Sequence, residues 1–283
     1  MKLDDVRTSD NVEDRRAFGG RARRGVALSG GTILVVGILA LLTKQNPLEL
    51  LSALSEGTGA SSAPGAASRP VDPNDPAAVF VKKILATTED AWRALLPKMG
   101  ATYVEPKLVL YRDSVESACG FQQAAVGPFY CPGDSKAYFD LDFLDDLQKR
   151  LGAQGDFASA YVIAHEIGHH VQRLLGTSAR ARALGESEGA EGGSVRLELQ
   201  ADCYAGVWGS LAKARGLLEV GDLEEALGAA TAIGDDTLQR RGQGRVTPET
   251  FSHGTSQQRV SWLRRGLESG DPRVCDTFRA AQL

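Results

Sequence analysis

The chain has 283 residues, 42% of them hydrophobic, which is enough for one substantial domain with extensions. Its formal net charge is only −4, and a run of basic residues occurs only within the first 25 positions. The composition therefore excludes the strongly basic class of nucleic-acid-binding proteins, and no nucleic-acid partner is expected.

The amino-terminal part begins with a polar, arginine-rich stretch, residues 1–25, followed by an uncharged apolar run at residues 26–43. Such a run is long enough to cross a bilayer as a helix. We expect residues 26–43 to be an uncleaved transmembrane anchor, with the basic tail in the cytoplasm and the remaining chain in the periplasm or outside the cell. A cleaved signal peptide is the alternative, because residues 53–55 (Ala-Leu-Ser) resemble a cleavage site.

Residues 44–75 form a distinct segment that is rich in Ser, Ala, Gly and Pro. Its apolar surface is too small to compensate for the entropy lost on ordering, so we expect a flexible linker. The folded body then comprises residues 76–283 and begins with a helix at Pro76, capped by Asp75. The other predicted elements are strands at residues 107–112 and 136–139, helices at 161–172, 195–214, 223–232 and 256–267, and a polar loop at 234–246.

The most informative stretch is residues 161–172, which read YVIAHEIGHHVQ. On a helix, His165 and His169 lie one turn apart on the same face, where two imidazoles can bind one cation. Glu166 occupies the adjacent flank, where its carboxylate can act as a general base without being a ligand. This is the HExxH arrangement of zinc peptidases. A chance match on a polar helix is the alternative, but the surroundings are apolar and three of the four histidines of the chain fall here.

Glu198 is the third metal ligand that we predict, because catalytic zinc takes three protein ligands and keeps one position open. Glu198 and Asp202 are four residues apart in a predicted helix, so both project from one face. Asp202 suits a role in accepting a hydrogen bond from a ligating histidine and fixing its tautomer. An exposed acidic helix face is one alternative. Glu186, Glu188 and Glu191 in the preceding loop are rival ligands.

The sequences HEIGHHVQ and ELQADCYAGVWG together resemble the neutral zinc metallopeptidase family of bacterial membrane-anchored proteins. The resemblance extends to SDNVEDRR near the amino terminus, to GPFYCP, and to the ending FSHGTSQQRVSWLRRGLESGDP. More distantly, HExxH with ExxxD on a second helix is similar to the gluzincins. The resemblance implies a zincin-like fold, a peptide or protein substrate and Zn²⁺ held by His165, His169 and Glu198. It also implies that Glu166 is catalytic.

Other polar residues give weaker indications of function. His253 precedes the predicted helix at residues 256–267, where it can either donate a hydrogen bond to an oxyanion or serve as a local cap. Tyr204 and Arg259 are minor catalytic candidates, and His170 is expected to point away from the face of its neighbour His169. The strand shortly before the HExxH helix can either hold an extended substrate at an exposed edge or only complete the sheet.

The four cysteines are expected to form two disulfides. Cys119 and Cys131 flank a short turn-rich loop, which leaves Cys203 and Cys275 as the second pair. Disulfides are expected for a body outside the cytoplasm. A cysteine metal site is the alternative, but the sequence contains no CxxC spacing.

The sequence thus predicts a mainly helical α+β body that hydrolyses peptide bonds with a zinc ion and a glutamate base. The alternative is a catalytically inactive, metal-stabilised binding or chaperone-like module at the membrane. An intact Glu166 argues against that alternative, because a structural zinc site needs no general base and is usually closed by four protein ligands. Hydrolysis of a non-peptide amide, such as a cell-wall bond, is a third and weaker hypothesis.

Overall fold

The structure is a computed structural model that describes residues 1–16, 71–123, 127–149, 152–183 and 189–283. These residues form a mainly helical α+β fold with a small sheet, which confirms this part of the predicted fold class. The strands are β1 (Val12–Asp14), β2 (Lys107–Tyr111), β3 (Ser114–Ser117), β4 (Gly120–Gln123), β5 (Phe129–Cys131) and β6 (Lys136–Asp140). The helices are α1 (Pro76–Leu95), α2 (Leu141–Lys149), α3 (Asp156–Leu174), α4 (Thr177–Ala183), α5 (Gly193–Ala214), α6 (Asp222–Ala232), α7 (Asp235–Gln243) and α8 (Ser256–Ser269).

The main sheet has the strand order β1-β2-β6-β5, with β1, β2 and β6 parallel and β5 antiparallel at one edge. Both faces of β2 are buried, because alternate side chains point to opposite sides of a strand. Leu108 and Leu110 join the main helical core, whereas Val109 and Tyr111 join a smaller cluster with Val115 of β3. The sheet therefore lies between the helices and the hairpin formed by β3 and β4.

Residues 1–16 belong to the folded body. β1 pairs in parallel with the edge of β2, and the fully buried Ser9 donates a hydrogen bond of 2.6 Å to the buried carboxylate of Glu89 on α1. The sequence predicted a separate tail over residues 1–25; the structure instead joins residues 1–16 to the body. A three-residue strand with two acidic side chains has no recognisable pattern of its own, and its pairing depends on the backbone edge that β2 offers.

The predicted anchor at residues 26–43 and most of the predicted linker, residues 44–70, lie outside the described residues. None of the helices in the described part of the chain combines the length and the apolarity needed to cross a membrane. The predicted cap is confirmed, because the side chain of Asp75 accepts hydrogen bonds from the backbone of Ala77 and Ala78 at the start of α1.

The prediction of a polar loop at residues 234–246 is wrong, because Asp235–Gln243 form α7. This helix has few apolar residues, so hydrophobic periodicity does not identify it. Its first turn carries Asp235 and Asp236, whose negative charges are favourable near the amino-terminal end of a helix. Asp236 also accepts a hydrogen bond of 2.7 Å from the backbone N–H of Ser256. The helix is thus anchored by a contact that is distant in sequence.

The helices α5 and α8 cross with their backbones in direct contact. A Cβ atom at Gly266 would lie 2.0 Å from the carbonyl oxygen of Cys203, and one at Gly206 would lie 2.1 Å from the carbonyl oxygen of Leu263. Only glycine fits at these two positions, because any larger side chain would overlap backbone atoms of the other helix. This crossing fixes α8 against the helix that carries Glu198.

Both expected disulfides are present, Cys119–Cys131 and Cys203–Cys275. The first joins the turn between β3 and β4 to the end of the edge strand β5. The second joins α5 to the short 3₁₀ helix Pro272–Cys275 near the carboxyl end. Both β5 and α5 are therefore covalently tied to a neighbouring segment.

If residues 1–16 are part of the cooperative unit, Ser9→Ala should destabilise the whole body. The substitution leaves the buried carboxylate of Glu89 without one donor, which costs about 1–3 kcal/mol. We expect the free energy of unfolding in urea, followed by circular dichroism, to fall by that amount. Thr8→Ala changes the exposed neighbouring residue and should have an effect within about 0.5 kcal/mol. Equal stabilities of the two variants would contradict the docking of residues 1–16.

Candidate metal centre and active site

The site is built where α3 and α5 cross at Gly168, the glycine of the HEIGH sequence. A Cβ atom at Gly168 would lie 3.0 Å from the carbonyl oxygen of Ala201 and 3.1 Å from its Cα atom. The absence of a side chain therefore allows the two helix backbones to approach closely. His165 and His169 lie three residues before and one residue after Gly168, so they flank the crossing on α3.

The acidic residues flank the same crossing on α5, in the opposite order. Asp202 contacts His165, whereas Glu198 also reaches His169, which indicates that the two helices run antiparallel. Glu198 Oε2 lies 3.1 Å from His165 Nε2, and Glu198 Oε1 lies 3.3 Å from His169 Nε2. One ligand atom from each of the three predicted metal residues lies within 4.8 Å of the other two. The structure thus brings His165, His169 and Glu198 together.

The outer ring nitrogens of both histidines are held by acceptors. His165 Nδ1 lies 2.8 Å from Asp202 Oδ1, and His169 Nδ1 lies 2.9 Å from Gln172 Oε1. Oxygen acceptors fix the protons on Nδ1 and leave each Nε2 directed at Glu198. Two imidazole nitrogens and one carboxylate are a donor set that suits zinc, so these residues fit the ion.

The electrostatic field at this point favours a positive charge. Burial opposes the protonation of His165, but Asp202 and Glu198 raise the pKa of its imidazole to about 10. Burial likewise disfavours the ionised form of Glu198, yet the neighbouring His169 and His165 hold the pKa of its carboxyl well below the usual range. Without a bound ion, the imidazole of His165 therefore retains a proton at the point where a cation would bind.

Asp202 is the centre of a fully buried hydrogen-bond network. Its carboxylate accepts bonds from Tyr161 Oη at 2.5 Å and from Arg259 Nε and Nη2 of α8, both at 2.9 Å, besides the one from His165. Burial raises the pKa of this carboxyl, but Arg259 and His165 outweigh that effect and hold it below its ordinary value. Asp202 is thus kept ionised and fixed in orientation.

Glu166 is buried at the wall of the cavity that contains the three predicted ligands. Its burial raises the pKa of its carboxyl above the usual value, although His169 and His165 partly oppose this effect. A raised pKa makes a carboxylate a better proton acceptor near neutral pH. Its position next to His165 and its pKa both suit the general base that the sequence predicts.

His253 lines the same cavity, and its side chain is half exposed. Asp235 at the start of α7 holds it, because Oδ2 accepts the backbone N–H of His253 at 2.7 Å and Oδ1 lies 3.2 Å from Nδ1. The hydrogen bond to Asp235 raises the pKa of the imidazole. His253 therefore presents its ring to the cavity with one nitrogen already engaged.

The cavity has a volume of about 600 Å³ and extends from the predicted ligands to β5. Apolar side chains, including Phe129, Phe143, Val162, Leu197 and Leu238, form part of its wall. The strand predicted at residues 136–139 is β6, which lies between β2 and β5 and completes the sheet. Among the described strands, β5 lines the cavity and is paired on one side only, which leaves it with a free edge. This strand was not predicted.

Sequence reasoning missed or underrated several supporting residues. Tyr161, Gln172 and Arg259 hold the predicted ligands or Asp202, and only Arg259 was considered, as a weak catalytic candidate. Gln172 also donates a hydrogen bond of 2.6 Å to the carbonyl oxygen of Leu197, which links α3 to α5. The three-residue spacing from His169 to Gln172 on a helix could have indicated that these two side chains are in contact.

The remaining catalytic candidate, Tyr204, and the rival acidic ligands are not found among the predicted metal ligands in the described part of the chain. The side chain of Tyr204 is buried in the core, with its ring 5.2 Å from that of Trp92 in an edge-to-face arrangement. Glu191 is exposed and is not part of the group of predicted ligands, whereas Glu186 and Glu188 lie outside the described residues. Among the rival acids that the structure describes, only Glu198 reaches the two histidines.

A histidine pair on one helix, an acid on a second helix and a glutamate beside the first histidine define a site of the zinc-peptidase class on an α+β fold. The chain belongs to the family described as "Putative neutral zinc metallopeptidase", which matches residues 1–278. This confirms the family resemblance inferred from the motifs. Family membership supports a zinc metallopeptidase, whereas the roles of individual residues depend on the geometry described above.

Two relatives illustrate the range of similarity. The chain is 51% identical over 288 residues to "Uncharacterized protein YpfJ" of Escherichia coli (strain K12), with 98% of this chain and 99% of that protein covered. It is 44% identical over 215 residues to "Uncharacterized protein Rv2575" of Mycobacterium tuberculosis (strain ATCC 25618 / H37Rv), with 71% of each chain covered. No solved structure matches the chain.

Arg259→Met should destabilise the protein, because it removes the guanidinium that donates two hydrogen bonds to the buried carboxylate of Asp202. Breaking one side of a buried ion pair costs about 3–5 kcal/mol. We expect this loss in the free energy of unfolding of the metal-free protein in urea.

Arg264→Met makes the same change at an exposed position of α8 and should alter stability by less than about 0.5 kcal/mol. Adding Asp202→Asn to Arg259→Met should recover part of the loss, because it removes the buried charge that has lost its guanidinium partner. Equal stabilities of the Arg259→Met and Arg264→Met proteins would contradict this account of the network.

Proposed function

We propose that this protein is a zinc-dependent peptidase, with His165, His169 and Glu198 as metal ligands and Glu166 as the general base. The observation that carries the proposal is the convergence of three ligand atoms within 4.8 Å, next to a buried glutamate. The fixed Nδ1 contacts of both histidines support it, because they direct each Nε2 to one point. Family membership supports the same reaction class.

Zinc, when bound, supplies a Lewis acid that polarises the scissile carbonyl and acidifies a water molecule. Glu166 then accepts the proton of the attacking water and passes it to the leaving amine. The raised pKa of its carboxyl suits both steps, since the group must be a base first and an acid afterwards. Asp202 keeps His165 in one tautomer and orientation throughout.

His253 is the proposed donor to the oxyanion that forms when the carbonyl is attacked. Its half-exposed ring lines the cavity, and Asp235 engages Nδ1, which leaves Nε2 as the available donor. The contact with Asp235 favours the protonated imidazole, which is the stronger donor.

The proposed substrate is an extended peptide that runs along the free edge of β5. Strand β5 is hydrogen-bonded on one side to β6, and its residues line the cavity that contains the predicted ligands. An unpaired strand edge offers backbone groups that bind any extended peptide, whatever its side chains. The apolar walls of the cavity suit apolar substrate side chains.

We propose that the body works outside the cytoplasm, which the two disulfides support. Residues 1–16 are hydrogen-bonded to the body and share its compartment while that pairing is kept. A single membrane crossing by residues 26–43 would separate β1 from β2.

Glu166→Gln should abolish most of the peptidase activity while zinc stays bound, because the amide cannot accept a proton. General-base catalysis contributes about 10²–10⁴-fold, so kcat should fall by that factor. The assay is cleavage of a proteome-derived peptide library, with and without chelator, alongside zinc analysis. Glu116→Gln at an exposed site is the control. Cleavage by Glu166→Gln at nearly the wild-type rate would remove this mechanism.

Glu198→Ala should lower zinc affinity, because only the two imidazoles then remain as protein ligands. We expect a stoichiometry near zero after dialysis against a weak chelator, compared with about one ion per wild-type chain. Glu191→Ala alters an exposed glutamate shortly before α5 and should retain the metal. Full zinc content in Glu198→Ala would mean that the third ligand is another residue.

A further inference from the structure

His170, the second histidine of the HH pair, has a well-defined environment that the proposed chemistry does not use. Its ring is buried, and both ring nitrogens have partners. Nε2 lies 2.6 Å from the carbonyl oxygen of Val104, and Nδ1 lies 2.9 Å from the hydroxyl oxygen of Tyr130 on β5. His170 therefore joins α3 to β5 and to the segment before β2.

The hydrogen-bond directions follow from the groups involved. A carbonyl oxygen can only accept, so Nε2 of His170 carries the proton and donates to Val104. In the neutral ring Nδ1 is then an acceptor, and the hydroxyl of Tyr130 donates to it. The ring of His170 also packs edge-to-face with Tyr130, with ring centroids 5.5 Å apart. The contact thus fixes both the position and the rotation of the Tyr130 side chain.

A second contact from the same helix acts on the chain just after β5. Arg173, three residues beyond His170 on α3, donates a hydrogen bond of 3.1 Å to the carbonyl oxygen of Pro132. Strand β5 has only three residues and, within the described part of the chain, is hydrogen-bonded to a neighbouring strand on one side alone. A strand of this length forms few backbone hydrogen bonds with its neighbour β6. The contacts from α3 therefore add substantially to the restraint on β5.

We propose that His170 and Tyr130 are positioning residues, which hold the free edge of β5 at a fixed distance from the predicted metal ligands. The helix that carries His165 and His169 also carries His170, so one rigid element sets both the metal-binding residues and the strand edge. Loss of the contact lets β5 move relative to His165 and His169. This inference rests on the proposed function insofar as it assigns the strand edge to substrate binding.

Tyr130→Phe removes only the hydroxyl and tests the proposal directly. We expect hydrogen–deuterium exchange at the amides of residues 129–131 to be about 2–10-fold faster, the range that loss of one hydrogen bond allows. We also expect KM for peptide cleavage to rise by a similar factor, with kcat changed by less than about 2-fold and zinc content unchanged.

Tyr103→Phe is the matched control, because the ring of Tyr103 also packs edge-to-face on His170, with centroids 5.9 Å apart. Its buried hydroxyl has no hydrogen-bond partner among the residues that the structure describes, so its removal should leave both exchange and KM unchanged. Equal exchange at residues 129–131 in the Tyr130→Phe and Tyr103→Phe proteins would overturn the positioning role. A fall in kcat with an unchanged KM would overturn it as well.

The exchange measurement separates this inference from the proposed function. If the wild-type protein cleaves no peptide, the peptidase proposal fails, yet the exchange at residues 129–131 still decides whether Tyr130 restrains β5. Arg173→Met removes the second contact and, combined with Tyr130→Phe, should increase exchange further than either change alone. No additional increase in the double variant would contradict the two-point attachment.

Discussion

The close crossing of α3 and α5 at Gly168 is the constraint on which the rest of the site depends. Because Gly168 has no side chain, its backbone lies against that of Ala201, and residues on either side of the crossing come within hydrogen-bond distance. The histidines are spaced one turn apart on α3, and the acids are spaced one turn apart on α5. Two helices with matching spacing and opposite direction therefore deliver His165, His169 and Glu198 to one point.

The buried charges around this crossing explain why the site suits a divalent cation. Glu166, Glu198 and Asp202 bring three negative charges when ionised, and Arg259 brings one positive charge, which leaves a net charge of −2 among these buried or half-buried groups. Isolated charges in a protein interior are costly, so the protein must protonate or bind a cation there. A zinc ion would neutralise this net negative charge. Without the positive charge of Arg259, the net negative charge would be larger.

The elements around the two helices orient the site. The glycine contacts between α5 and α8 place Arg259 behind Asp202, and α7 places Asp235 beneath His253. On the other side, β5 is tied to α3 by hydrogen bonds and to the β3–β4 turn by a disulfide. The sides of the cavity formed by β5 and α8 are thus attached to α3 and α5, the helices that carry the predicted ligands.

The sequence by itself determined the residues whose spacing lies within one helix. HExxH and ExxxD identify His165, Glu166, His169, Glu198 and Asp202, since a helix turns every 3.6 residues and local spacing sets which side chains share a face. Only the tertiary structure decided which strand has the free edge, that α7 is a helix, and that β1, Gln172 and Tyr161 support the body and the site. Those features depend on partners distant in the sequence, such as the edge of β2 or the backbone of Leu197, and no local pattern encodes such contacts.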